Sequence, residues 1–151
     1  MKYAFFFGSI AVTVRHWYEP SEDGDERGSR VEVQHLTEIP PTSGSLFAAR
    51  TTVLGAPIFR ADLFTHIDGP PGNRDRAHYH PYFVRGNEPC DRQWDPTMKE
   101  DTTAWAVRKL SDLRSILAIS GATAIMDGVD YGAVEKAMPQ VRAAIEACYE
   151  P

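Results

Sequence analysis

Strand-like alternation fills the first two-thirds of this chain, and helical periodicity fills the last third. The two do not interleave. From Val12 the residues alternate, with Val12, Val14, His16 and Tyr18 on one side and Thr13, Arg15 and Trp17 on the other. Arg30 to Ile39 alternates as well: Val31, Val33, His35 and Thr37 oppose Glu32, Gln34, Leu36 and Glu38. In a strand, successive side chains point to opposite faces, so each pattern describes one apolar and one polar sheet face. Further strands are expected over 46–54, over 58–67 and over 77–84. They are separated by Gly55-Ala56-Pro57 and by a Gly/Pro turn around Gly72. The aromatic run Tyr3 to Phe7 reads as buried strand, bent at Gly8-Ser9. The charged stretch Glu19 to Gly28 reads as a solvated loop, and 86–96 as irregular.

After Trp94 the pattern changes. Asp95-Pro96 or Asp101-Thr102 can cap a helix whose stripe is Ala106, Leu110, Leu113 and Leu117. Asp130 can cap a second, carrying Val134, Ala137, Val141, Ile145 and Cys148, with a kink or a break expected at Pro139. Strands followed by helices predict an α+β domain: an antiparallel sheet in the N-terminal two-thirds, with two C-terminal helices packed on one face. The 151 residues suit a single domain, 1–94 mainly β and 95–151 mainly α.

Net charge narrows the partners. At −5 the chain lacks the basic excess of a general nucleic-acid binder or of an anionic-membrane binder. No run approaches the roughly 18 apolar residues of a membrane span. Cys90 and Cys148 form no CxxC motif and no disulfide framework, which fits a reducing, cytoplasmic setting. The final helix stripe could also pair with a second copy as a homodimer.

Reactive residues concentrate between Arg60 and Trp94. In a hairpin centred near Gly72, His66 would oppose His78, and Asp62 would oppose Tyr82. His66, His78 and His80 would then form a divalent metal site for zinc, iron, nickel or manganese, with Asp62 as a fourth or orienting group. Without metal, Asp62, His66 and His78 are the acid/base candidates. Arg60, Arg76, Tyr82, Arg85 and Trp94 are candidates for holding a small anionic molecule. Gly72, five residues, then His78-Tyr79-His80 resembles the first motif of the cupin family. Val84 and Arg85 stand where that motif has its glutamate, and no histidine follows His80, so the chain is not assigned to the cupins. Two functions follow as expectations. One is a His/Asp/Arg-lined pocket for a metal or small anion, with or without catalysis. The other is a non-catalytic module, of the immunity or regulatory type, that binds a protein partner through its charged sheet face.

Overall fold

A computed structural model describes residues 2–20, 26–39, 51–64 and 77–149. Its main sheet has five antiparallel strands in sequence order: β1 (Lys2–Phe7), β2 (Ile10–Glu19), β3 (Glu26–Ile39), β4 (Thr51–Phe64) and β5 (His78–His80). A two-stranded ribbon follows, β6 (Phe83–Arg85) with β7 (Glu88–Pro89). The C-terminal part holds α1 (Thr102–Ser111), α2 (Leu113–Ile119) and α3 (Tyr131–Ala147), preceded by 3-10 turns at Pro96–Lys99 and Thr123–Gly128. The domain is α+β, with the helices on one sheet face. Among the described residues no helix is long and apolar enough to cross a membrane.

Sheet register aligns side chains into rows that share a face. Val14, Val31, Ala61 and Tyr79 pair in turn across β2–β5, and so do Val12, Val33 and Phe59 across β2–β4. These residues meet Trp105, Leu110, Leu113, Leu117, Val141 and Ile145 in one core cluster. Removing this apolar surface from water is the main favourable term, at about 25 cal/mol per Å². The other face carries two polar rows. One is Arg15, Arg30, Asp62 and His78; the other is Thr13, Glu32, Arg60 and His80. The alternation read from sequence therefore assigns both faces correctly.

Several boundaries differ from the sequence expectation. The 55–57 break does not end a strand. β4 runs through it, and the β3–β4 register shifts between Val33 and Leu36 instead, a bulge that admits Pro57 opposite Gln34. Residues 46–50 and 65–67, where further strand was expected, lie outside the described residues. β2 extends to Glu19 and β3 starts at Glu26, so the expected loop is shorter. The expected 77–84 strand divides into β5 and β6, and 88–89 in the irregular stretch forms β7. Phe6 departs from the expected core run: it is 59% exposed, while Phe7 is buried and Tyr3 and Phe5 pack partly against the core.

Among the described residues the helices are three rather than two. The Ala106–Leu117 stripe is buried throughout, but Asp112 interrupts its backbone and caps α2 by accepting from Ser115 N at 3.2 Å. Asp101 and Asp130 cap α1 and α3, accepting from Ala104 N at 2.7 Å and Ala133 N at 2.9 Å. Asp95 caps the turn at Pro96, so both expected start signals are used. α3 forms one helix with the exposed Pro139 inside it, not two pieces. Its buried residues Val134, Met138, Val141 and Ile145 offset the proline's cost, about 3 kcal/mol in a helix interior. His16, on the apolar face, is satisfied by donating from Nδ1 to the Cys148 carbonyl at 2.7 Å.

Gly8 fixes where sheet and helices meet. Its φ is +70°, and a Cβ there would lie 2.0 Å from the Gly128 carbonyl oxygen. The neighbouring Ser9 N donates to that same oxygen at 2.9 Å, and Asp130 N donates to the Phe7 carbonyl at 3.2 Å. Gly8→Ala is expected to lower unfolding free energy by at least about 1 kcal/mol, the cost of a left-handed alanine before the clash is added. Urea denaturation measures this, and an unchanged midpoint would show that the junction yields.

Candidate metal centre

β4 and β5 build the centre by pairing Asp62 with His78 and Arg60 with His80. This corrects the expected hairpin, in which Asp62 opposed Tyr82 and His66 opposed His78. The register lies four positions away, at His78 instead of Tyr82. Pro81 keeps Tyr82 out of the strand. Proline has no N–H to give a ladder, so β5 stops at His80 and Tyr82 cannot pair with Asp62. Four is an even shift, so each side chain keeps the face that the alternation gave it. His66 and Arg76 lie outside the described residues.

Asp62, His78 and His80 are all buried, at 3%, 7% and 6% exposure. One ligand atom from each lies within 4.8 Å of the others. Asp62 Oδ2 is 3.4 Å from His78 Nε2 and 3.9 Å from His80 Nε2. The two imidazoles meet edge to face, centroids 5.2 Å apart. Alternate residues of a strand share a face, so the HxH spacing delivers both rings to one carboxylate.

The surroundings fix which atoms face inward. Arg30, opposite Asp62 on β3, donates from Nε to Asp62 Oδ1. That leaves Oδ2 as the oxygen turned toward both rings. His80 Nδ1 lies 2.7 Å from the Cys90 carbonyl, which can only accept. Nδ1 therefore carries the proton, and Nε2 presents its lone pair to the Asp62 side. Burial holds the His80 imidazole below the usual histidine range, which keeps it neutral and ligand-ready. In the neighbouring row Arg60 donates from Nε to Glu32 Oε1 at 2.8 Å, and its guanidinium lies 5.1 Å from the Phe83 ring centroid. Phe64 and Trp17 wall the other end, the former 5.6 Å from the His78 ring and the latter 4.9 Å from Phe64.

The five anion-binding candidates do not share one setting. Arg60 lies on the polar face, tied to Glu32. Arg85 is exposed on β6. Trp94 packs partly against the apolar core. Tyr82 lines a cavity beside Tyr79 and Trp105, on the helix side of the sheet. Arg76 falls outside the described residues. Sequence reasoning missed Arg30, Glu32 and the Cys90 carbonyl. The two side chains were visible on a polar strand face, but nothing local tied β3 to the hairpin. A backbone carbonyl carries no signal in residue type.

Residues 73–145 match the family model described as a domain of unknown function (DUF7700), just under half of the chain. No curated protein and no solved structure matches the chain.

The Arg30–Asp62 pair has a consequence for folding without metal. Removing one partner of a buried pair strands the other charge. Asp62→Ala is expected to cost about 3 kcal/mol or more. Replacing both partners with apolar groups, Arg30→Met with Asp62→Leu, should recover most of that loss. Denaturant titrations in chelator compare the variants, and a double variant no better than Asp62→Ala would show the pair is not the dominant partner.

Proposed function

We propose that this protein binds one divalent transition metal through Asp62 Oδ2, His78 Nε2 and His80 Nε2, and presents it to a small anionic molecule. The donor spacing carries the reading. Bonds of about 2.1 Å to a tetrahedral ion put neighbouring donors roughly 3.4 Å apart. Asp62 Oδ2 stands 3.4 and 3.9 Å from the two imidazole nitrogens, so little movement closes the site. Two neutral imidazoles and one carboxylate suit zinc or iron(II), and the same donors accept nickel or manganese. Three protein ligands leave a coordination position for water or substrate, as in catalytic rather than structural sites. Arg30 on Oδ1 and the Cys90 carbonyl on Nδ1 are the outer hydrogen bonds that orient metal ligands elsewhere.

Charge supports an anionic occupant. Arg15, Arg30 and Arg60 outnumber Asp62 and Glu32 by one in the paired rows, so a divalent ion leaves a local excess of about three positive charges. A hydroxide, carboxylate or phosphate in the open position would reduce it. Asp62 replaces His66 as the third ligand in this reading. The same centre would lower the pKa of a bound water or polarise a bound carbonyl, the two ordinary means of metal-assisted hydrolysis. We place the protein in a reducing compartment, since Cys90 and Cys148 stand buried and unbridged.

Metal analysis of untagged protein tests the proposal. One equivalent of zinc or cobalt is expected, lost on Asp62→Ala, His78→Ala or His80→Ala and kept on His66→Ala. Zinc at a hundredfold excess over its dissociation constant should add about 2.7 kcal/mol of stability, removed by EDTA. Equal thermal stability with zinc and with EDTA would falsify the metal reading, and loss of metal on His66→Ala would reassign the third ligand.

A further inference from the structure

The cavity on the helix side of β5 is separate from the metal centre and rests on other residues. We propose that it is a second binding site, for a planar aromatic acid: one or two fused rings carrying a carboxylate, sulfonate or phosphate. The space measures about 290 Å³, near the lower limit of small-molecule pockets, which suits such a size. Its walls come from β4, β5, the residues just after β5, and the helices α1 and α2.

The walls are of two kinds. Phe59, Tyr79, Trp105 and Ile116 make an apolar body, and Tyr82 and Ile119 stand at its edge, 41% and 59% exposed. Large apolar side chains left open beside an aromatic-walled recess lose contact with water when a ring enters. Tyr79 and Trp105 lie 5.1 Å apart between centroids and form the adjoining wall. Burial pushes the Tyr79 phenol up, so it enters as a neutral ring with a hydroxyl.

The sign of the ligand follows from which hydrogen-bonding atoms are already used. Two acids and two bases line the cavity. Both acids are committed. Asp95 accepts from Trp105 Nε1 at 2.9 Å and from Thr97 N and Oγ1 at 2.9 and 2.8 Å. Asp112 caps α2. These neutral donors leave both carboxylates charged, and Lys109 lies near enough to Asp95 to favour its ionised form. The N–H groups of Lys109 and Arg108 are nonetheless less fully engaged than the acid oxygens. Lys109 Nζ sits 5.5 and 5.9 Å from the Tyr79 and Trp105 ring centroids, held by their negative faces. Arg108 reaches the Thr97 hydroxyl at 3.4 Å. Neither forms an ion pair with a carboxylate among the described residues. An acid whose ring enters the apolar body can therefore meet Lys109 at the cavity wall, with Arg108 as a second donor.

Calorimetric titration with 2-naphthoate and with neutral 2-naphthamide tests this. One equivalent of naphthoate is expected to bind at least about tenfold more tightly than the amide, the worth of one charge-assisted contact. Lys109→Met keeps the apolar stem and should erase that preference. Ser115→Trp, at an exposed position on the lining, should block both probes while far-ultraviolet circular dichroism stays unchanged. Asp62→Asn should leave naphthoate binding as it was, which separates this site from the metal centre. Failure of naphthoate to bind at millimolar concentration, an equal affinity for acid and amide, or undiminished naphthoate binding to Ser115→Trp would each overturn the proposal.

Discussion

Asp62 holds a buried negative charge between a guanidinium and two imidazoles, and the polar side of the sheet depends on how that charge is met. A lone carboxylate with 3% exposure would be strongly destabilising. Arg30 across the β3–β4 ladder satisfies one oxygen, and the β5 histidines face the other. The next row repeats the arrangement with opposite polarity, Glu32 on β3 against Arg60 on β4. Directly opposed unlike charges favour this pairing, and a one-residue slip would place each charge on the apolar face. The ion pairs thus contribute to register more than to net stability, since desolvation offsets much of their attraction.

β5 has two functions in three residues, with both histidines buried and Tyr79 partly buried. His78 and His80 serve the polar layer, and Tyr79 between them serves the helix side. The backbone of Tyr79 is fixed on the edge away from β4, exchanging both hydrogen bonds with Gln93 at 2.9 Å. That pairing, with the Cys90 carbonyl on His80, ties the segment after β7 to the strand that carries His78 and His80. Short as it is, β5 is held from both edges. This matters for the proposed metal centre, whose donor spacing an error of about 1 Å would spoil.

How much of this was legible in the chain depended on how local each signal is. Facing of residues is set by a period of two, so the polar and apolar rows followed directly from Val12–Tyr18 and Arg30–Glu38. Caps are equally local, which is why Asp95, Asp101 and Asp130 were readable. Asp112 was not, because the Ala106–Leu117 stripe continues through it and conceals the break. Register is a non-local property. It was inferred from the glycines near Gly72, whereas Pro81, on the far side of the histidines, bounds the strand. The shift was even, so Asp62 stayed among the candidates while its place opposite Tyr82 was wrong. The cavity was invisible in the sequence for the same reason: its walls come from segments far apart in the chain.

The boundary of the family match bears on how the centre is assembled. The matched segment, 73–145, contains His78, His80, Cys90 and most of the cavity wall. It does not contain Asp62, Arg30 or Phe59. Within the described sheet β5 has β4 as its strand neighbour, and β4 lies wholly before the matched segment. Two histidines on a three-residue strand, without that neighbour, would have neither the carboxylate nor the ladder that fixes their spacing. The segment that matches the family model supplies His78 and His80 and their backbone tether. The preceding sheet supplies Asp62, the Arg30 that orients it and the rigid edge against which all three side chains are set.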